Sequence, residues 1–282
     1  MSKRLITFAV LCSALLLASS AQAQYLPFSI LSDGDLNPQT GGIVDNVAHP
    51  SLSPGGILAF DGDDEGTTLD DWIWVGAGIA IVSGESVTIN GAPSSAVVDN
   101  IDDFFEPGHV NDAGQVVWDG DLNGTGAGGA DDTNNDEVLM LGLDVLMQEG
   151  TVYPTIDPVE DPGEWNSTCI DSAGTVYCEV DLDGATTTDE VLVRIAPGAA
   201  PQIVEMNLFS EFREGSTIVG GALDSLVWDS IAFTDTIWNA NGDMITDGNL
   251  DEVNGVTTAD DVVLVRKLNG VDYELLAGRE MP

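Results

Sequence analysis

Four acidic segments hold the residues whose types and spacing best suggest chemistry. The first contains Asp61 and Asp63 and runs on through Asp64 to Glu65. The second contains Asp119 and Asp121, and the third Asp181, Asp183, Asp189 and Glu190. The fourth contains Asp247, Asn249 and Asp251. Calcium takes about six to eight oxygen ligands, and Asp-x-Asp or Asp-x-Asn with glycine at a bend lets one short loop supply several. Crowded carboxylates repel one another unless a cation or water lies between them. These residues are therefore the expected calcium ligands, placed in loops between the first and second strands of a repeat. The third segment is the expected best site, since its loop is short and Gly184 frees the bend. The competing reading is a solvated acidic rim.

Other constellations are thin. His49 and His109 are the two histidines, and neither has a metal-ligand partner at useful spacing. They read as turn or rim residues. No H-E-x-x-H motif and no nucleophile elbow occurs. With 48 Asp and Glu residues, some pair will always suit a glycosidase, so a catalytic dyad is unreadable from spacing. Trp72, Trp74, Trp118, Trp165, Trp228 and Trp238 stand mostly in apolar runs, where core is the expected role and a sugar-stacking platform the alternative.

Those 48 acids face only 7 Lys and Arg, for a formal net charge of −41. Such a polyanion repels nucleic acid and anionic membrane surfaces, so neither is an expected partner. Hydrophobic residues make up 43%, enough for a core and too many for a disordered acidic chain. Residues 1–23 read as a secretory signal: Lys3 and Arg4, an apolar run from Leu5 to Leu17, then Ala21-Gln-Ala23. The mature chain is expected to be one domain over 24–282, secreted, periplasmic or at the cell surface, without membrane insertion. Cys169 and Cys178 flank a turn, and both a disulfide and two buried thiols fit them.

The elements that would position the acids repeat. Ser53-Pro-Gly-Gly56, Asn111-Asp-Ala-Gly114, Asp171-Ser-Ala-Gly174 and Asn239-Ala-Asn-Gly242 recur roughly every sixty residues. After each comes a short apolar run, then an acidic stretch, then the pairs Asp70-Asp71, Asp136-Glu137, Asp189-Glu190 and Asp260-Asp261. A second apolar run follows each pair, as in Trp72 to Val75 or Val191 to Val193. These second runs are apolar at consecutive positions, which predicts strands covered on both faces. The expected fold is all-β and propeller-like: about four blades of roughly sixty residues with circular closure of the termini. A strand near Ile43 and Val44 is expected to complete the last blade. Segments near Val97-Val98, Ile156 to Val159 and Leu226 to Ile231 are expected to supply a fourth strand.

The Asn-x-x-Gly turn followed by an apolar strand resembles the secreted bacterial proteins with tandem NxxGxxV/A-type repeats. The resemblance runs from about Tyr25 to Pro282 and implies a propeller-like fold with no assigned activity. Ser53 and Asp171 depart from its Asn. The expected function is non-enzymatic binding or surface interaction with extracellular carbohydrate or protein, supported by calcium. A secreted polysaccharide hydrolase using paired carboxylates is the alternative.

Overall fold

The computed structural model describes residues 31–65, 70–103, 109–123, 136–153, 156, 168–182, 189–207, 210–231, 237–239, 243–251, 262–267 and 273–278. The expected signal segment 1–23 lies outside them. Residues Asp33–Pro282 form one compact unit.

The unit is all-β. Its first antiparallel sheet runs in chain order through β1 (Ile43–Leu52), β2 (Leu58–Glu65), β3 (Asp71–Val75) and β4 (Gly78–Val82). The second contains β5 (Ser86–Ile89), β6 (Ala92–Asp103), β7 (Val117–Asn123), β8 (Glu137–Leu141) and β9 (Asp144–Gln148). It closes into a small barrel, because β5 pairs in parallel with β9. β10 (Cys169–Ile170), β11 (Val176–Val180), β12 (Val191–Ile195) and β13 (Gln202–Ile203) form the third. A small hairpin of β14 (Glu205–Asn207) and β15 (Ser210–Glu211) follows. The fourth sheet contains β16 (Trp228–Ile231), β17 (Ile237–Trp238), β18 (Met244–Leu250), β19 (Val262–Lys267) and β20 (Glu274–Gly278). Among the described residues the only helical piece is a 3-10 turn at Gly221–Leu223.

The main sheets are largely meanders, and in the first three the Asn/Asp/Ser-x-x-Gly turn leads into β2, β7 and β11. The first turn residue caps its own turn. Asn111 Oδ1 accepts from the N–H groups of Ala113 and Gln115 at 3.0 and 3.1 Å, and Asp171 Oδ1 accepts from Ala173 and Thr175 at 2.8 Å each. Gly114 and Gly174 stand at φ +74° and +83°, where a Cβ would be strained. Neighbouring turns are also joined: Asn111 Nδ2 donates to the Asp171 carbonyl at 3.1 Å, and Gly55 N–H donates to Asp112 Oδ1. Only the side-chain oxygen is needed for the cap, which explains why Asp171 and Ser53 can replace Asn. Asp171→Asn should leave the melting temperature within about a degree, whereas Asp171→Ala should cost about 1–3 kcal/mol. Equal losses in thermal melts would refute this account of the turn.

Three cores lie between successive sheets. Ala59, Ile73 and Ile81 of the first pack with Val98, Trp118 and Met140 of the second. Val117, Leu139 and Met147, from the opposite face of the second, pack with Val176, Cys178 and Val193. Tyr177 and Leu192, on the far face of the third, join Trp228, Met244 and Val263 of the fourth. The consecutive apolar residues of β12 thus divide between two cores, as their pattern predicts. Each fully buried Val or Leu contributes about 1.5–3 kcal/mol.

Two expectations need correction. The last sheet is not completed by the N-terminal strand. Ile43 and Val44 instead pair with Glu65 and Asp64 in the first sheet. Among the described residues no strand or buried cluster joins the fourth sheet to the first, so no circular closure is present. The irregular segments near Val98 and Leu226–Ile231 do each supply a further strand, and it stands before the turn: β6 and β16 pair with β7 and β18. Of residues 156–159, Ile156 alone is described, and it bridges Tyr153. Cys169 lies opposite Tyr177, so Cys169 and Cys178 point to opposite faces of the third sheet, into different cores. Both thiols are buried, and no disulfide joins them.

Candidate functional site

Most of the acids expected in loops stand inside strands. Asp61 and Asp63 belong to β2, Asp119 and Asp121 to β7, and Asp247 and Asn249 to β18. Residues two apart share a face of a strand, so each pair points the same way. Asp61 and Asp63 share the face of Ala59, toward the second sheet; Asp119 and Asp121 share that of Val117, toward the third. Asp247 and Asn249 share the outer face of the fourth sheet with Ile245 and Leu264. Asp251 follows β18, and its N–H donates to the Val227 carbonyl.

The strand glycines between these acids explain why the strand continues. A Cβ on Gly62 would lie 2.6 Å from the Asn46 carbonyl oxygen, and one on Gly248 would lie 2.6 Å from that of Ser230. At Gly120 it would overlap the Asn100 carbonyl. In each sheet the preceding strand bulges here, and the bulged residue is an aspartate: Asp45, Asp99 or Asp229. These three acids were missed by spacing alone. Their signal is a short motif, Val44-Asp-Asn-Val47, Val98-Asp-Asn-Ile101 and Trp228-Asp-Ser-Ile231.

At the end remote from the turn, the register of the first three sheets sets acids directly across from one another. Asp63 lies opposite Asp71, and Asp121 opposite Glu137. Asp181 and Glu190 continue the β11–β12 ladder, since Leu182 N–H donates to the Asp189 carbonyl. Like charges facing across strands are destabilising by roughly 0.2–1 kcal/mol per pair. The fourth sheet lacks this feature, for Asn249 faces Val262.

Burial and neighbouring charge both disfavour ionisation here. Burial, then Asp45, raises the Asp63 pKa, and its Oδ1 is shut from solvent without a hydrogen-bond partner. Burial, then Asp189, raises Asp181. Glu190 is raised by burial and by Asp181, Asp189 and Asp229, although Ile231 N–H donates to its Oε2 at 2.9 Å. Glu214, which lies outside the repeats' acidic segments, completes this group. It is 7% exposed, accepts from Asp189 N–H at 3.2 Å, and is pushed up to about 7 by burial and then by Asp189.

The third acidic segment therefore does gather Asp181, Asp189 and Glu190, with Asp229 and Glu214 added; Asp183 lies outside the described residues. Among the described residues, however, no three carboxylate, imidazole or thiol groups converge on a metal-sized point. No protein-family model matches this chain, and no curated protein matches it.

The remaining candidates resolve differently. His49 Nδ1 sits 3.0–3.1 Å from both Asp61 carboxylate oxygens, and its backbone takes φ +46°. His109 is buried rather than at a rim, and burial lowers its pKa to about 4, which keeps the ring neutral. Trp72, Trp118 and Trp228 are core. Trp74 is half-buried and stacks on Phe60 with centroids 5.7 Å apart.

Proposed function

We propose that this is a secreted, non-enzymatic binding protein for extracellular carbohydrate or protein, whose sheets are tied together by calcium. The recurrence of facing carboxylates carries the reading. Asp63 with Asp71, Asp121 with Glu137, and Asp181 with Glu190 each set two acids against one another on a face turned toward the next sheet. The sheet with no successor lacks the pair. A cation between sheets would relieve that repulsion and, between the third and fourth, add the bulge aspartate Asp229 as a ligand. The ligands would come from strands of two sheets rather than from one loop. The resemblance to tandem-repeat secreted proteins agrees with a binding role.

The hydrolase reading asks for a raised acid beside an exposed tryptophan. Glu214 is such an acid, but Trp228, whose carbonyl accepts from Gly215 N–H, is buried in a core. The binding reading is therefore preferred.

Calcium added to chelator-treated protein should raise the melting temperature by several degrees, more than magnesium does and more than sodium at matched ionic strength. Asp121→Asn should stabilise the calcium-free protein by roughly 0.2–1 kcal/mol and reduce the calcium increment. If calcium, magnesium and sodium act equally, screening alone is at work and the calcium reading fails.

A further inference from the structure

We propose that the Ser83 hydroxyl joins Asp63 and Asp71 in a calcium site at the seam between the first and second sheets. The inference rests on the calcium reading above and adds to it a location and an uncharged ligand. Register builds the site. Asp63 pairs with Asp71 across β2 and β3. Asp71 and Ser83 continue the β3–β4 ladder, for Trp72 lies opposite Val82 and Ser83 N–H donates to the Asp71 carbonyl at 2.9 Å. Directly paired residues share a face, so the three side chains form one row. Their face is that of Ala59, Ile73 and Ile81, which pack on the second sheet. One residue on, Gly84 N–H donates to the Val98 carbonyl of β6 at 2.6 Å, which fixes Ser83 at that seam.

The row recurs with one change. Glu149 N–H donates to the Glu137 carbonyl at 3.0 Å, and Glu214 N–H to the Glu190 carbonyl at 2.9 Å. Glutamate therefore holds the third place in the second and third sheets, and serine holds it in the first. In the first row two oxygens are left over. Ser83 is 3% exposed and its Oγ has no hydrogen-bond partner; Asp63 Oδ1 is likewise shut from solvent and unpartnered. A buried polar atom in that state is destabilising, so the row calls for an occupant. Charge favours a cation over water, because Asp45 and Asp70 add to the negative field at Asp63. Facing Cβ atoms lie about 4.5–5.5 Å apart. Calcium binds oxygen at about 2.3–2.6 Å and keeps waters among its ligands. An ion over Asp71 thus reaches both carboxylates, and Ser83 directly or through one bound water. Two carboxylates and a hydroxyl make this site without three converging acids.

Calcium titration of the chelator-treated protein, by calorimetry with thermal melts in parallel, tests this. Ser83→Ala removes the unpartnered oxygen and alters no charge. In chelator it should melt a few degrees above the parent. With calcium it should lose about threefold or more in affinity at one step and gain less in melting temperature. Asp63→Asn should show the same inversion, with a loss of about tenfold or more. A parent that binds no calcium removes the reading on which the site rests, and the site with it. A parent that binds calcium while Ser83→Ala titrates unchanged overturns this site alone and leaves an ordered water as the occupant of the row. A Ser83→Ala protein that melts below the parent in chelator also overturns it, since the hydroxyl would then already be satisfied.

Discussion

Gly120→Ala is expected to cost about 3 kcal/mol or more, among the largest effects of any single methyl in this protein. The added Cβ would meet backbone, the Asn100 carbonyl and Ile101 Cα, and not the end of a flexible side chain. Relief would require β6 to lift from β7 beside the Asp99 bulge, breaking the Ile101–Gly120 register. The third sheet carries Val180 at the equivalent position, and the residues that would face it lie outside the described ones. The control is Gly142→Ala, where φ is +60° but the space is open, for a loss of about 1 kcal/mol. Urea unfolding of both variants decides the matter. Similar losses would show that the close approach is unimportant and only backbone conformation counts.

Glu214 makes stability rise as the solution is acidified, opposite to the usual carboxylate behaviour. Its folded pKa of about 7 lies above the ordinary 4.5. The folded state therefore holds the proton more tightly than the unfolded chain. The associated stabilisation is complete below about pH 4.5 and is lost as pH rises through about 7. Between pH 8 and 5, in chelator and about 0.5 M salt to quiet the global charge, stability should increase by on the order of 1–2 kcal/mol. Glu214→Gln mimics the protonated form, so it should be more stable than the parent at pH 8 and show a flatter profile. A parent curve that falls from pH 8 to 5, or a variant with the parent's slope, would count against this view of the Asp181, Asp189, Glu190 and Glu214 group.

Sequence pattern revealed the part of this architecture that is written in side-chain periodicity. The capped turns at Asn111 and Asp171, and the doubly covered strands such as Val191–Ile195, appear where apolar runs and turn residues put them. The strand before each turn was less legible, because a bulge breaks its alternation at Asp45, Asp99 and Asp229. The acids of β2, β7 and β18 were misplaced into loops, since aspartate and glycine are poor strand formers. In the fold, pairing on both sides holds that stretch extended, and glycine lets the bulged neighbour come close. Glu214 carries no spacing signal at all: its environment is made by Asp189 and Glu190 arriving from another strand.

The two thiols sit on opposite faces of one sheet, and this makes them separate reporters. Cys178 is sealed by the core shared with the second sheet, and Cys169 by the core shared with the fourth. Burial also raises the Cys178 pKa, so this side chain reacts only after an opening exposes it. Pulsed alkylation followed by peptide mass analysis would then distinguish two kinds of motion. Matched labelling rates mean that the stack opens cooperatively, while unequal rates identify which seam parts first. The native sequence thus carries a probe for each of the two seams beside the third sheet, and neither needs an engineered label.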